Sequence, residues 1–203
     1  MALKKQVSNI PIPDAGTIPA RLARIVEIGQ HQTQFGVKDQ LWMWYSLPTR
    51  LIDQPESDFH GKQHMIKTAP ISMSANERSS LVTQHINILA PKFDLNSSTM
   101  DLGVLLNRPA YLTVVHNEAK DKDRTYANIG NTMSVPEGME VGELDTTPFY
   151  FDFDNPDLDV WTKYLSDYIK EKIQSALNYK GSAVEDMVMR LEAMSGTNSE
   201  TSE

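Results

Sequence analysis

Cysteine is absent from this chain of 203 residues, and its absence excludes two kinds of structure. Without thiols there is no disulfide framework and no thiolate zinc site. The sequence also lacks any run of about 18 consecutive apolar residues, and its first 16 residues contain no apolar segment of signal-peptide length. We therefore expect a chain that spans no membrane and works in a reducing compartment.

Signature motifs of nucleotide-binding and hydrolytic enzymes are missing as well. The sequence contains no G-x-x-x-x-G-K-[ST], G-x-G-x-x-G, H-E-x-x-H or G-x-S-x-G motif. His60 and His64 stand four positions apart, but Gly61 between them is typical of an exposed loop rather than of a metal-binding helix. No catalytic residue, metal or cofactor is predicted, and we do not expect an enzyme.

The acidic stretch DFDNPDLD (152–159) is the strongest candidate for a metal site. It does not fit a calcium-binding EF-hand loop, because Pro156 occupies the fifth position and Lys163 stands where the bidentate glutamate belongs. Negative charge is favourable at a helix N-terminus, so Asp157 is predicted to cap a helix that starts near Leu158. A metal-dependent nuclease that uses Asp152, Asp154 and Asp157 remains the weakest functional alternative.

Charge is distributed unevenly along the chain. Residues 1–135 contain 14 Lys and Arg against 12 Asp and Glu, whereas residues 136–203 contain 5 against 15. The net charges of the two parts are therefore +2 and −10. This asymmetry indicates a body that binds a polyanion and carries an acidic appendage, although acidic loops that only aid solubility are an alternative.

Alternating apolar residues, bounded by Gly and Pro, predict a chain made mainly of strands. Strands are predicted at 17–29, 41–47, 62–73, 109–118, 124–135 and 149–153. Helices are predicted from Ser74 to about Leu89, at 158–177 and, more weakly, at 183–194, with a further helical turn at 100–106. The order of strands and helix predicts an α+β fold: a five-stranded Greek-key OB-fold barrel with a helix between its third and fourth strands and a C-terminal helix.

Composition divides the chain into three parts. Residues 1–16 are predicted to be a flexible N-terminal arm, because two prolines and a glycine interrupt any regular element. Residues 17–179 are predicted to form the OB-fold domain with its C-terminal helix. Residues 180–203 are predicted to be a flexible acidic tail, since the last nine residues have no apolar group to bury.

The segment LWMWYSLP (41–48) concentrates large rings on one short strand. Alternation places Trp42 and Trp44 on one face and Met43 and Tyr45 on the other. One set is expected to fill the core and the other to form a platform on which bases stack. The exposed set is expected to include Tyr45, because its hydroxyl tolerates water.

Cations and rings on the predicted strands and loops are candidate contacts to a polynucleotide. Arg21 and Arg24 have opposite parity on the first strand, so one of them is expected to face outward. The hairpin after the fourth strand places Arg124 beside Tyr126, a combination suited to a phosphate and a stacked base. The full candidate set is Arg21, Arg24, Lys38, Trp42, Trp44, Tyr45, Lys62, Lys67, Arg108, Lys122, Arg124 and Tyr126.

Five segments of the chain carry a family resemblance: IPAR…RIVEIG (18–29), LWMWYSLP (41–48), DLGVLLNRPAYLTVVHNE (101–118), TYANIGNTMSVPEGM (125–139) and FYFDFDNPD (149–157). Taken in this order, they resemble the single-stranded-DNA-binding proteins of some tailed bacteriophages. The resemblance implies an OB-fold that binds single-stranded DNA without sequence preference during phage DNA replication, recombination or repair, in the host cytoplasm. It also implies that the acidic C-terminal region contacts replication or recombination proteins.

Three functions therefore remain open. A DNA-binding protein would neutralise phosphates with cations and stack bases on rings. A structural or protein-docking OB module of a phage assembly is the alternative from a different class. The nuclease is the third.

Overall fold

The computed structural model describes residues 10–96, 101–118 and 125–196. Within these residues, seven strands form one sheet: β1 (Gly16–Thr33), β2 (Gly36–Leu51), β3 (Gln63–Lys67), β4 (Ile71–Ser72), β5 (Pro109–Glu118), β6 (Thr125–Met133) and β7 (Phe149–Phe151). In the same part of the chain, four α-helices accompany the sheet: α1 (Asn87–Leu89), α2 (Leu158–Lys163), α3 (Asp167–Gln174) and α4 (Ala183–Gly196). A π-helical turn (Val82–Ile86) precedes α1, and a 3₁₀ turn (Leu102–Leu105) precedes β5.

The sheet follows the order β3-β2-β1-β5-β6, and all pairs along it are antiparallel. In addition, β4 pairs with β2, and β7 runs parallel to β1. The two ends of this order, β3 and β6, have Cα atoms within 8 Å of each other. No backbone ladder joins them in the described residues, so the sheet is open.

The predicted fold class is confirmed in its coarser form, a mainly antiparallel sheet with a few helices. The strand predicted at 109–118 has the bounds of β5, whereas the strand predicted at 62–73 is divided into β3 and the two-residue β4. Pro70, which cannot donate to a ladder, lies in the gap between them. The closed five-stranded barrel is not confirmed, because the sheet is open and β4 and β7 add to it.

The helices differ from their predicted bounds for local reasons. The predicted helix at 158–177 is interrupted after Tyr164, and Ser166 begins a second helix, α3. Asp157 caps α2 as predicted, since its carboxylate accepts the N–H groups of Asp159 and Val160. The helix that the sequence predicts more weakly, at 183–194, is confirmed as α4, and its Val184 and Val188 are buried.

Two apolar clusters lie on opposite faces of β1 and β2. The inner core, capped by the π-helical turn and α1, includes Leu22, Ile25, Met43, Tyr45, Leu47, Val82 and Ile86. The outer core, formed with β7 and the C-terminal helices, includes Val26, Trp42, Phe151, Trp161, Ile173 and Val184. Because side chains alternate along a strand, β2 supplies successive residues to the two clusters.

An irregularity in β1 changes which way its arginines point. Arg21 lies opposite Ser46 and Arg24 opposite Trp44, with a register shift between Leu22 and Arg24. Ser46 and Trp44 are two residues apart on β2 and therefore share a face. The extra residue of this bulge puts both arginines on the outer face, so the prediction that only one faces outward is wrong.

In the part of the chain that the structure describes, no helix is both long enough and apolar enough to cross a bilayer.

Candidate nucleic-acid interface

A groove of about 720 Å³ runs along the outer side of β3. Its walls come from β2, β3, β6, α3 and the segment before β1. The residues that line it are Ile10, Pro11, Ile12, Pro13, Trp42, His64, Met65, Ile66, Lys67, Thr68, Ala69, Pro70, Tyr126, Ala127, Asn128, Tyr168 and Lys172. The groove thus brings together residues that are 162 positions apart in sequence, from Ile10 to Lys172.

Rings gather around one ammonium group at the floor of the groove. The Nζ atom of Lys67 lies 3.6 Å from the ring centroid of Trp42, 5.2 Å from that of Tyr168 and 5.8 Å from that of Trp44. Tyr168 stacks on Trp42 with ring centroids 5.7 Å apart and an interplanar angle of 14°. The rings hold the lysine by cation–π attraction, and burial lowers the pKa of Lys67.

Strand alternation, strand register and the docking of α3 together explain this cluster. Trp42 and Trp44 are two residues apart on β2 and share its outer face, as predicted, with their rings edge to face. Lys67 lies opposite Trp44 in the β2–β3 ladder, so its side chain reaches the same face. The α3 helix then covers Trp42 with Tyr168, which leaves Trp42 only 2% exposed.

Two rings remain accessible in the groove. Tyr126 on β6 is 50% exposed, and Tyr168 on α3 is 61% exposed. Tyr168 stacks on Trp42 and still keeps more than half of its surface accessible, whereas Trp42 is covered. Exposed aromatic faces along a groove are the surfaces on which unpaired bases stack.

The charges that line the groove are of one sign. Lys67 and Lys172 line it, and no Asp or Glu is among the described residues that do so. Nζ of Lys172 lies 3.2 Å from Nδ1 of His31, whose Nε2 is 2.9 Å from the carbonyl oxygen of Ile28. A neutral His31 satisfies both contacts by accepting at Nδ1 and donating from Nε2. Burial, followed by the charge of Lys172, lowers the pKa of His31.

The expectation that Tyr45 is exposed is wrong. Its ring is fully buried in the inner core, and its hydroxyl is 2.8 Å from Nδ1 of His85. The helical cap formed by the π-helical turn and α1 brings His85 over β2 from a distant part of the chain. Tyr45 thus finds a partner for its hydroxyl inside the protein and cannot contact a ligand in the groove.

The guanidinium of Arg21 makes its hydrogen bonds within the protein. Its guanidinium donates to the carbonyl oxygens of Asn107, Val141 and Gly142 and to the carboxylate of Glu143. These bonds fix the loop at 141–143 against β1. With its donors engaged in this way, Arg21 has a structural role, and it does not line the groove.

Of the remaining predicted cations, the four that the structure describes lie outside the groove. Lys38 is exposed near the hairpin between β1 and β2, and Arg108 is exposed beside Val104, whose carbonyl oxygen it contacts at 3.3 Å. Arg24 and Lys62 line a second cavity, described below. Lys122 and Arg124 lie outside the described residues. Of the twelve predicted residues, the groove contains Trp42, Lys67 and Tyr126, with Trp44 packed behind them.

Sequence reasoning missed the contributions of the C-terminal helix and of the N-terminal segment. Tyr168 and Lys172 were assigned only to a helix, although their spacing of four residues does place them on one helical face. The N-terminal segment forms part of the wall because Nε2 of His116 lies 2.8 Å from the carbonyl oxygen of Pro13. No local sequence signal indicates that contact.

The sequence matches no protein-family model, and comparison with curated proteins gives no significant match. Functional inference therefore rests on the groove itself.

The acidic loop at 152–159 makes local hydrogen bonds. Asp152 accepts the N–H groups of Asp154 and Asn155, while Asp157 caps α2. Within residues 10–96, 101–118 and 125–196, no cluster of three or more His, Asp or Glu side chains has the arrangement of a metal site.

Proposed function

We propose that this chain binds single-stranded DNA without sequence preference and acts in phage DNA replication, recombination or repair in the host cytoplasm. The observation that carries the proposal is the groove along β3, which is lined by exposed Tyr126 and Tyr168 and by two lysines but by no described acidic residue. The whole chain has a net charge of −8, so a groove lined by two lysines and by no described Asp or Glu differs in charge from the protein as a whole.

The chemistry of the groove suits an unpaired polynucleotide. Ammonium groups neutralise phosphates and release counterions, which gives affinity without sequence information. Rings stack on bases of any identity, and each stacked base contributes about 1–3 kcal/mol. Duplex DNA has no free base faces, so we expect weaker binding of duplex than of single strands.

Sheet order supports a finer proposal, that the fold is of the OB type. The order β3-β2-β1-β5-β6 is the strand order of an OB barrel. In a closed barrel β3 would pair with β6, and here these two strands lie close together without a backbone ladder in the described residues. OB-folds hold oligonucleotides on the face of their second and third strands. The groove lies on that face of β2 and β3.

A protein-docking module is the second candidate function, and a specific observation favours it. The wall formed by Ile10, Pro11, Ile12 and Pro13 is apolar, as is the nearby Met65. An apolar wall would also accept a peptide segment of a phage assembly. The two functions differ in which ligand, DNA or protein, raises the melting temperature.

Fluorescence polarisation with labelled oligo-dT, at low and at physiological salt, tests the proposal directly. We expect binding that weakens as salt rises. Tyr168→Ala should lower the affinity by about 1–3 kcal/mol, because one stacking face is lost. Tyr164→Ala is the matched control, since Tyr164 is exposed and packs on Phe149 but does not line the groove. Absence of binding by the wild-type protein at low salt would show that the proposal is wrong.

A further inference from the structure

A second cavity of about 430 Å³ adjoins the groove. Both cavities are lined by Ile10, His64 and Met65, so they are neighbours along β3. The second cavity is also lined by Arg24, Lys62 and Phe59, among others. Phe59 is 52% exposed and presents its ring to solvent.

Arg24 is the unusual residue of this cavity. It is partly buried, its guanidinium carbon lies 5.3 Å from the ring centroid of Phe149, and its Nε atom is buried. Within the described residues, Nε has no hydrogen-bond acceptor. A buried donor on a charged group is costly when it is unpaired, so the site is incomplete without an acceptor.

Comparison with Arg21 shows that this is not a general property of arginines on this face. Arg21 lies three positions earlier on the same outer face of β1 and donates to three carbonyl oxygens and one carboxylate. The fold supplies acceptors for the guanidinium of Arg21, whereas Nε of Arg24 has none among the described residues.

Two carboxylates also line the second cavity. Asp145 accepts the backbone N–H of Gln63 at 2.7 Å, and Asp58 lies in the loop before β3. Burial lowers the pKa of Arg24, and the charge of Asp145 opposes this shift, but the two residues form no ion pair within 4 Å. Lys62, which is exposed, adds a second cation to the cavity.

We propose that Arg24 and Lys62 form a phosphate subsite for the same DNA strand that occupies the groove, so that the strand runs along β3 from Lys67 towards Gln63. This inference rests on the proposed function. A guanidinium fork binds a phosphodiester with two parallel N–H donors, and an ammonium group acts as a point charge beside it. Phe59 offers a further stacking face at this end of the path.

The strand register sets the scale of the path. Arg24 on β1 lies opposite Trp44 on β2, and Trp44 lies opposite Lys67 on β3, so Arg24 and Lys67 are two strands apart in one row across the sheet. Their Cα atoms are therefore about 10 Å apart, at roughly 4.8 Å for each strand spacing, and we expect the two cations to contact different phosphates of one strand. The second subsite makes the interface longer than the groove alone.

The salt dependence of oligo-dT binding tests this subsite, with Arg24→Gln and Lys62→Gln compared with the wild type. Each variant should weaken binding several-fold and make the slope of log Kobs against log salt shallower by about 0.7, the value for one phosphate contact on a single strand. Arg78→Gln is the matched control, because it removes the same charge from an exposed residue that lines neither cavity. It should leave the slope unchanged.

The possible outcomes separate the two proposals. If the wild type binds oligo-dT and both cavity variants behave like Arg78→Gln, the subsite is wrong while the proposed function stands. If the wild type does not bind, both the proposed function and the subsite are wrong. A melting curve shows whether Arg24→Gln folds, and if it does not, the exposed Lys62→Gln alone decides the result.

Discussion

The two faces of β2 differ in what covers them. The inner face, with Met43, Tyr45 and Leu47, is sealed by the helical cap. The outer face, with Trp42 and Trp44, is covered only in part by α3, and the cover itself leaves Tyr168 exposed. The same alternation of large residues thus gives a core on one side and the floor of a groove on the other. The size of a side chain therefore does not show whether its ring fills the core or lines a binding groove.

Tyr45→Ala should have the largest effect of the variants considered, because it removes a fully buried ring from the sealed face. We expect the free energy of unfolding to fall by about 3–5 kcal/mol, as for other large-to-small changes of buried rings. Urea denaturation at neutral pH measures the loss. A loss below about 1 kcal/mol would mean that this face is not a packed core.

Tyr126→Ala tests the open face in the complementary way. We expect little change in stability, because Tyr126 is half exposed, and a loss of about 1–3 kcal/mol in oligo-dT affinity from the missing stacking face. Phe35→Ala is the control, since Phe35 is 78% exposed and does not line the groove. Equal losses from both variants would remove the distinction between groove and general surface.

The pH dependence of stability tests whether His85 is buried in its neutral form on the inner face of β2. Burial lowers the pKa of His85 from 6.5 to about 4, so the unfolded chain takes up this proton first as pH falls. The stabilisation from neutral His85 is complete above pH 6.5 and is lost as pH falls towards 4. Between about pH 7.5 and pH 5, this group should cost ~2 kcal/mol of stability.

His85→Gln is the variant that isolates this effect, because the other titrating groups are common to both proteins. We expect urea denaturation to show a shallower decline of stability with falling pH for the variant than for the wild type. Parallel declines would show that His85 is not buried in neutral form against Tyr45.

Lys38→Gln and Arg108→Gln should have the smallest effects. Both residues lie outside the groove, and charges more than about 8 Å from a phosphate are largely screened at physiological ionic strength. We expect oligo-dT affinity to change by less than ~0.5 kcal/mol. A loss as large as that expected for Tyr126→Ala would mean that the DNA follows a different surface.

Much of the fold follows from local sequence pattern. The strand at 109–118 and the Asp157 cap are recognisable because alternation and capping act between neighbouring residues. The break between α2 and α3 was missed, although Ser166 is a residue type that begins helices. The apolar periodicity continues across this break and conceals it.

The candidate site was only partly predictable. Trp42, Lys67 and Tyr126 were named from residue type and strand position, and they do line one groove. Strand alternation predicted that only one of Arg21 and Arg24 faces outward. That prediction is wrong because a bulge between Leu22 and Arg24 shifts the register, and a bulge leaves no clear mark in sequence. Tyr168 was missed because only the docking of α3 places it over β2.

Sequence pattern is sufficient to locate most of the strands, to place Trp42 and Trp44 on one face of β2, and to reveal the uneven distribution of charge. These properties depend on side-chain period and composition, which are local. Tertiary structure alone decided that Tyr45 is inside and Tyr168 outside, that Arg21 has acceptors, and that Nε of Arg24 has none among the described residues. Each of these depends on which distant segment packs against the sheet, and no local pattern specifies that choice.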